Sequence, residues 1–409
     1  MKSKPRQYRL VRPDAFIYCF GIDLPVSFIP LYARDLYSPI LGLSKEYVMG
    51  LPISISMLLA TIAFLVGGPL LDKKGWQKVH LAGILFTATG MILSGLATNV
   101  ATFIAARAFN GFGYGLVFMS YMGFVYTNTE EANRTAGFAT MSAGMFSGSI
   151  CGGAVGGMLA ERIGFQNVFF LATFFVMITI CYTTIFMKPL YQTTPKKDAA
   201  HDDRSLKENL KLIFHFLTNR NIFSLLWLLS IPSAITFVGV LYYISPIYLD
   251  RLGTSQANIA RILMINGIFM IYVAPMLGPI MDRTPDKRNF IIASGMIGGI
   301  GMLSFLLFDG MLAIIIVIFL LSLSAALGNS ARTVYALQQD IAKELGGGRA
   351  MSLYRTIDRI GWVIGPLLLG SVIASGQIEK GLALIGIVYI VLTLLFIVCS
   401  KKTGAGQIN

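Results

Sequence analysis

The amino-acid sequence predicts an all-α membrane protein of twelve transmembrane helices in two six-helix halves. Three observations carry that expectation. The chain is 55% hydrophobic and only 13% charged. Twelve apolar runs are each long enough to cross a bilayer, and a short charged motif recurs at the same place in both halves. A soluble chain carries about 25% charged residues, because a solvated surface needs charge. With a mean hydropathy of +0.69, most of this chain faces lipid instead. The net charge of +13 points to the lipid bilayer as partner and not to nucleic acid, because the basic residues gather at the ends of apolar runs.

A helix needs about 20 mostly apolar residues to cross the hydrocarbon core. The N-terminal stretch, with Lys2, Lys4, Arg6, Arg9 and Arg12, resembles the basic start of a secretory signal. The apolar run after it ends in no small-residue cleavage site, however, and carries Asp23, Pro25 and Pro30 through to Tyr32. It is expected to be a retained first span, roughly 14–35. Further runs follow at about 47–71, 79–98, 101–126, 136–160 and 166–187. After a polar gap come 221–248, 256–280, 289–308, 311–337, 350–375 and 380–400. The chain thus divides into an N-terminal half, 1–187, a linker, 188–220, and a C-terminal half, 221–409.

The basic residues assign the sides. The N-terminal cluster, Lys73, Lys74, Lys78, Arg134, the linker, Arg283, Lys287, Arg288, Lys343, Arg349, Lys401 and Lys402 fall on one side. Arg34, Lys45, Arg162, Arg251 and Lys380 fall on the other. Lysine and arginine favour the cytoplasmic face, so both termini and the linker are expected there, in a bacterial inner membrane. Within the linker, Ser205 and Glu208 have the spacing of a capping box. Leu206, Leu210, Ile213, Phe214 and Leu217 share one helical face. That pattern suits an amphipathic helix lying on the inner leaflet.

The loop after the second span reads Gly68-x-x-x-Asp72-Lys73-x-Gly75, and the loop after the eighth reads Gly278-x-x-x-Asp282-Arg283. A generic positive loop would not repeat that spacing, so the chain contains two parallel halves. Glycine lets a neighbouring helix end come close, and the aspartate can then face its positive N-terminus. In the fifth span Gly144, Gly148, Gly152 and Gly156 recur every fourth residue, which makes one bare ridge for close helix approach. The eleventh span echoes it with Gly361, Gly365, Pro366 and Gly370.

These motifs together resemble those of the major facilitator superfamily over nearly the whole chain. The loop at Gly68–Gly75 is similar to that family's signature after the second span, with Trp76 and Gln77 where the family prefers two arginines. Arg107, Gly111 and Gly113 resemble its fourth-span signature. The glycines from Gly148 to Gly157 resemble its antiporter signature, with Gly153 in place of proline. The resemblance implies alternating access, with the Asp72 loop as a cytoplasmic gate and the glycine ridge as a hinge.

Ionisable groups in mid-membrane cost at least ~2.5–3.5 kcal/mol each on insertion scales and so mark function or pairing. Those expected here are Asp23, Arg107, Arg332, Arg355, Asp358 and Arg359. Asp23 has no basic neighbour on its own helix, so Arg107 is its expected partner and the pair a candidate for proton coupling or substrate binding. Arg355, Asp358 and Arg359 could serve as an internal ion-pair cluster, a gate or a substrate site.

The four cysteines, Cys19, Cys151, Cys181 and Cys399, form no CxxC pair and behave as small hydrophobes. None of the three histidines is expected deep inside a span, His80 standing at the very start of its run and His201 and His215 lying in the linker, which argues against hydrolase, zinc or histidine-relay chemistry. With no Walker loop, metal-ligand cluster or nucleophile elbow, neither an enzyme nor a cofactor or metal site is expected. The function expected is secondary transport, proton-coupled export of a small organic compound by a monomer. The alternatives are movement of an anionic metabolite or lipid, favoured by the excess of cations over acids, and a membrane sensor without flux.

Overall fold

A computed structural model of the protein describes residues 7–40, 42–129, 134–187, 206–284 and 286–400. Among the described residues every regular element is a helix. They are α1 (Val11–Asp23), α2 (Ile29–Asp35), α3 (Lys45–Lys74), α4 (Trp76–Gly95), α5 (Val100–Asn128), α6 (Arg134–Ile163), α7 (Phe165–Phe186), α8 (Leu206–Thr218) and α9 (Arg220–Ser224). There follow α10 (Ile231–Val238), α11 (Ser245–Arg251), α12 (Gln256–Ile268), α13 (Ala274–Asp282), α14 (Arg288–Leu303), α15 (Gly310–Leu337), α16 (Asp340–Leu345), α17 (Gly347–Ala374) and α18 (Ile378–Cys399). Among the described residues ten helical stretches are long and apolar enough to cross a membrane. The α1–α2 pair and the 29-residue α5 stand at the first and fourth positions, which makes twelve.

The first span is not the continuous run expected over 14–35. It breaks after Asp23 and resumes at Ile29. Proline has no N–H, and its ring clashes with the preceding turn, so it ends helices and opens new ones. Here Pro25 lies in the break and Pro30 opens α2. Between them the backbone tightens into three-residue turns, Val26 N–H to the Asp23 carbonyl at 3.0 Å and Phe28 N–H to the Pro25 carbonyl at 3.1 Å. Asp23 is therefore the last residue of a helix and not a mid-helix residue.

Three π-helical turns interrupt the seventh and eighth spans, at Leu225–Ser230, Gly239–Ile244 and Phe269–Val273. Each precedes a proline: Pro232, Pro246 and Pro275. The missing proline N–H orphans the carbonyl four residues back, at Leu228, Tyr242 or Ile271. Just before each proline the chain is wound wider, as an i→i+5 turn: Ile231 N–H bonds the Leu226 carbonyl, Ser245 N–H the Val240 carbonyl and Ala274 N–H the Phe269 carbonyl.

The chain forms two compact units. One contains Met1–Lys197 with Pro246–Gly267, the other Asp198–Ser245 with Ile268–Asn409. In the first, α1 packs on α6 and α7, and α5 packs between α3 and α4. In the second, α10 packs on α17, and α14 on α15 and α18. Residues 246–267, which the sequence division assigns to the C-terminal half, pack in the first unit.

Helix α8 falls where the amphipathic helix was expected, while Ser205 and the Glu208 side chain lie outside the described residues. Its apolar face is not a simple one. Phe214 is 69% exposed, whereas Phe216, outside the expected stripe, is fully buried, and α8 packs on α16.

Candidate functional site

The glycines of α6 build the closest helix contact of the first unit. A Cβ at Gly144, Gly148, Gly152 or Gly156 would collide with the carbonyl oxygen of Arg12, Phe16, Phe20 or Leu24 respectively. Both series step by four residues, so the two backbones run in register for the whole length of α1. Any side chain on that ridge would hold α1 away. The α6 contact continues past Asp23 into the break, where Gly153 lies against Val26 and Gly157 against Ser27.

Asp23 lies within hydrogen-bonding reach of Ser149 on α6 and within electrostatic reach of Arg107 on α5. Arg107 is 6% exposed. Its Nε and Nη1 have no hydrogen-bond partner among the described residues. A buried guanidinium with unused donors facing a carboxylate at a helix break can take up an anionic group or release its hold on the carboxylate, at little cost in rearrangement. Asp23 and Arg107, which the sequence paired, lie within electrostatic reach without an ion pair within 4.0 Å among the described residues.

Nearer the start of α1 lies a second polar centre that the sequence did not signal. Asp14 is fully buried. It accepts hydrogen bonds from Tyr121 Oη of α5 at 2.9 Å and from Thr183 Oγ1 of α7 at 3.0 Å. His80 of α4 is also fully buried, with Nε2 3.1 Å from Asp14 Oδ2 and Nδ1 2.7 Å from Ser120 Oγ. Two expectations are corrected here. His80 lies inside a span, because α4 begins at Trp76 and carries it inward. Asp23 is not the only carboxylate deep in the first half, because α1 begins at Val11 and buries Asp14 in its first turn.

In the second unit Arg332 of α15 is 4% exposed. It donates from Nη2 to Asn329 Oδ1 at 2.8 Å, and its Nη1 lacks a partner among the described residues. Asp358 of α17 lies within electrostatic reach of Arg332 and, less strongly, of Arg359 and Arg355. Arg359 stacks on Trp362, 4.5 Å from the ring centre, and Arg355 is exposed. The strongest electrostatic neighbour of Asp358 is thus Arg332, from another helix. Tyr354 joins α17 to the π turn at Ser230 by a 2.8 Å hydrogen bond.

The motif loops are open in this structure. A Cβ at Gly68 or Gly278 would meet nothing within 4 Å, and Asp72, Lys73 and Arg283 are exposed. Gly75, with φ of 77°, makes the left-handed turn between α3 and α4. The Asp282 side chain lies outside the described residues. Elsewhere in the first unit polar contacts join α2 to α11, α11 to α12 and α6 to α12. Arg34 Nη1 meets Asp250 Oδ2 at 2.6 Å, Asp250 also accepts from Gln256 at 3.2 Å, and Glu161 accepts from the Ala257 N–H at 3.1 Å.

Membrane-length helices, a broken first span and buried opposite charges on separate helices define a multi-pass carrier of small molecules. The model of the Major Facilitator Superfamily matches residues 15–346, and the chain belongs to that family of secondary transporters. The chain is 28% identical over 379 residues to the multidrug resistance protein MdtG of Citrobacter koseri, covering 88% of this chain and 87% of that one. It is likewise 28% identical over 371 residues to MdtG of Salmonella typhi, covering 88% and 87%. Among solved structures, a peptide transporter POT in complex with sulfate superposes with a TM-score of 0.77 at 17% identity, covering 96% of this chain and 94% of that one. A POT family transporter in complex with 5-aminolevulinic acid gives 0.73 at 14%, covering 97% and 96%. The latter two share the fold.

Proposed function

We propose that the protein exports small organic compounds from a bacterial cell in exchange for protons, as a monomer with both termini in the cytoplasm. The observation that carries this is the Asp23–Arg107 arrangement, a carboxylate at a helix break facing a buried arginine with unused donors. A carboxylate that passes between water and a dry site changes its proton affinity. Alternating exposure of Asp23 would therefore bind a proton on one side and release it on the other. Loss of the proton restores the attraction to Arg107, and protonation frees Arg107 for substrate. The naming of the MdtG relatives as multidrug resistance proteins supports export and a broad substrate range.

The glycine ridge supports the motion. Two backbones in register, with no side chains between them, can rotate or slide without repacking. The halves 1–187 and 221–409 are the bodies that rock, and the Asp72 and Asp282 loops are the cytoplasmic gates. Transport of anionic compounds is the second reading, favoured by Arg107 and Arg332, both buried with guanidinium nitrogens lacking partners.

Flux into everted vesicles under an imposed pH gradient tests the proposal across cationic, zwitterionic and anionic compounds. The expected result is gradient-driven uptake that Asp23→Asn abolishes while counterflow exchange persists. Uptake of the same size without a gradient would overturn proton coupling. Restored gradient-driven uptake in Asp23→Asn combined with Arg107→Gln would reduce the pair to a structural one.

A further inference from the structure

The centre around Asp14 has no part in the reading above, and its donor count is informative. Ser120 has one hydroxyl hydrogen, which it gives to the Val117 carbonyl at 2.6 Å. Its oxygen must then accept from His80 Nδ1 at 2.7 Å, which fixes a proton on Nδ1. Thr183 donates to Asp14 Oδ1 and Tyr121 to Asp14 Oδ2. His80 Nε2 lies 3.1 Å from Asp14 Oδ2, off the line of a hydrogen bond, and has no hydrogen-bond partner among the described residues. A bare imidazole lone pair that close to a carboxylate in a buried site would be repelled, so one proton belongs to the pair. It makes either imidazolium beside carboxylate or imidazole beside carboxylic acid, and the proton count is the same.

We propose that Asp14 and His80 form a proton-binding site, separate from Asp23, that gives up and regains this one proton. Release leaves an Asp14 carboxylate, still held by Tyr121 and Thr183, beside a neutral imidazole with Nδ1–H. The proton goes to water at the N-terminal end of α1. Because both side chains are fully buried, exchange requires the four helices that hold them to part. Occupancy is thereby tied to the conformation of α1 against α4, α5 and α7. The surroundings hold little else that titrates. On α1 itself Cys19 lies within electrostatic reach and Arg12 is exposed. From α7 Tyr182 lies within reach, and from α5 there is Tyr121, stacked edge-on to Tyr18. From α4 there is His80 alone, with Lys78 exposed. The stretch of α6 that packs on α1 presents its bare glycines.

The test reads proton binding directly, so it stands or falls apart from coupling at Asp23. The chain has three histidines, so His201→Gln with His215→Gln leaves the His80 ring as the sole imidazole signal. Nitrogen NMR of that ring in nanodiscs, between about pH 5 and about pH 9, spans the range in which histidines titrate. The expected result is a titration at Nε2 with Nδ1 protonated throughout. Asp14→Asn should weaken proton binding by about tenfold or more, through loss of the opposing charge. Tyr121→Phe keeps the ring packing and removes one donor to the carboxylate, so it should tighten proton binding by about fivefold. Should Asp14→Asn fail to fold, Tyr121→Phe decides alone. An Nε2 signal that does not change over the range, or one whose midpoint neither variant moves, overturns the proposal.

Discussion

The first unit brings α6 onto α1 with four glycines on one helix. The second brings α17 onto α10 with two, and both partners contribute. There a Cβ at Gly361 would strike Ala234 Cβ at 2.6 Å and the Ile231 carbonyl at 2.7 Å, and one at Gly365 would sit 2.9 Å from the Ile235 carbonyl. Gly239 on the other side faces Leu369 and the Gly365 carbonyl. Around α10 the helix is wound into π turns on both sides, whereas α1 is regular up to its break. The sequence repeats the motif, but the structure makes the same approach by two means. A regular helix against a bare ridge can shift along its length. A contact sunk between π turns and Pro366 is fixed at a point. A larger movement of α1 is therefore expected, with unequal consequences for equivalent substitutions.

The largest effect is expected from Gly152→Leu. Its side chain would have to displace the α1 backbone, which has no rotamer to yield. A destabilisation of about 3 kcal/mol, the upper end for overpacking, should accompany loss of transport at matched expression. Retained flux would show that the ridge is not a working contact. Next comes Asp23→Asn, with coupled flux lost and the melting temperature nearly unchanged, since among the described residues no ion pair within 4.0 Å involves Asp23. Melting and flux in the same preparation separate the two effects.

Gly365→Ala should be milder than Gly152→Ala, at about 1 kcal/mol, because its nearest neighbour is more distant. Equal costs at the two sites would erase the contrast between the units. A smaller effect on folding is expected of Asp72→Asn, within about 0.5 kcal/mol for an exposed residue. Its effect should appear instead as altered reactivity of single cysteines placed on the two faces of the membrane. At the low end Gly68→Ala should change stability by no more than about 0.5 kcal/mol, because its Cβ enters open space. Thermal unfolding of the alanine series, ranked against these contacts, tests the whole order.

Much of this architecture was legible in sequence order. Hydropathy and length located the spans, since lipid imposes a local requirement on each helix. The four-residue glycine step announced a bare ridge because helical periodicity is also local. The choice of α1 as its partner was not legible, and neither was the role of the prolines. Pro25 was visible, yet whether it bends a span or breaks it depends on what packs beside it.

The Asp14–His80 centre shows the limit most clearly. In the sequence Asp14 follows Arg9 and Arg12 and resembles a flanking charge, and His80 follows Lys78 and resembles a loop residue. Tyr121 lies 107 positions from Asp14 and Thr183 lies 169. By itself the sequence determined which stretches must lie in lipid and where helices can run. Only the tertiary structure decided which of those helices meet and in what register. A hydrogen bond between two helices depends on their rotation and axial offset to within about an ångström, and composition and periodicity carry no record of either.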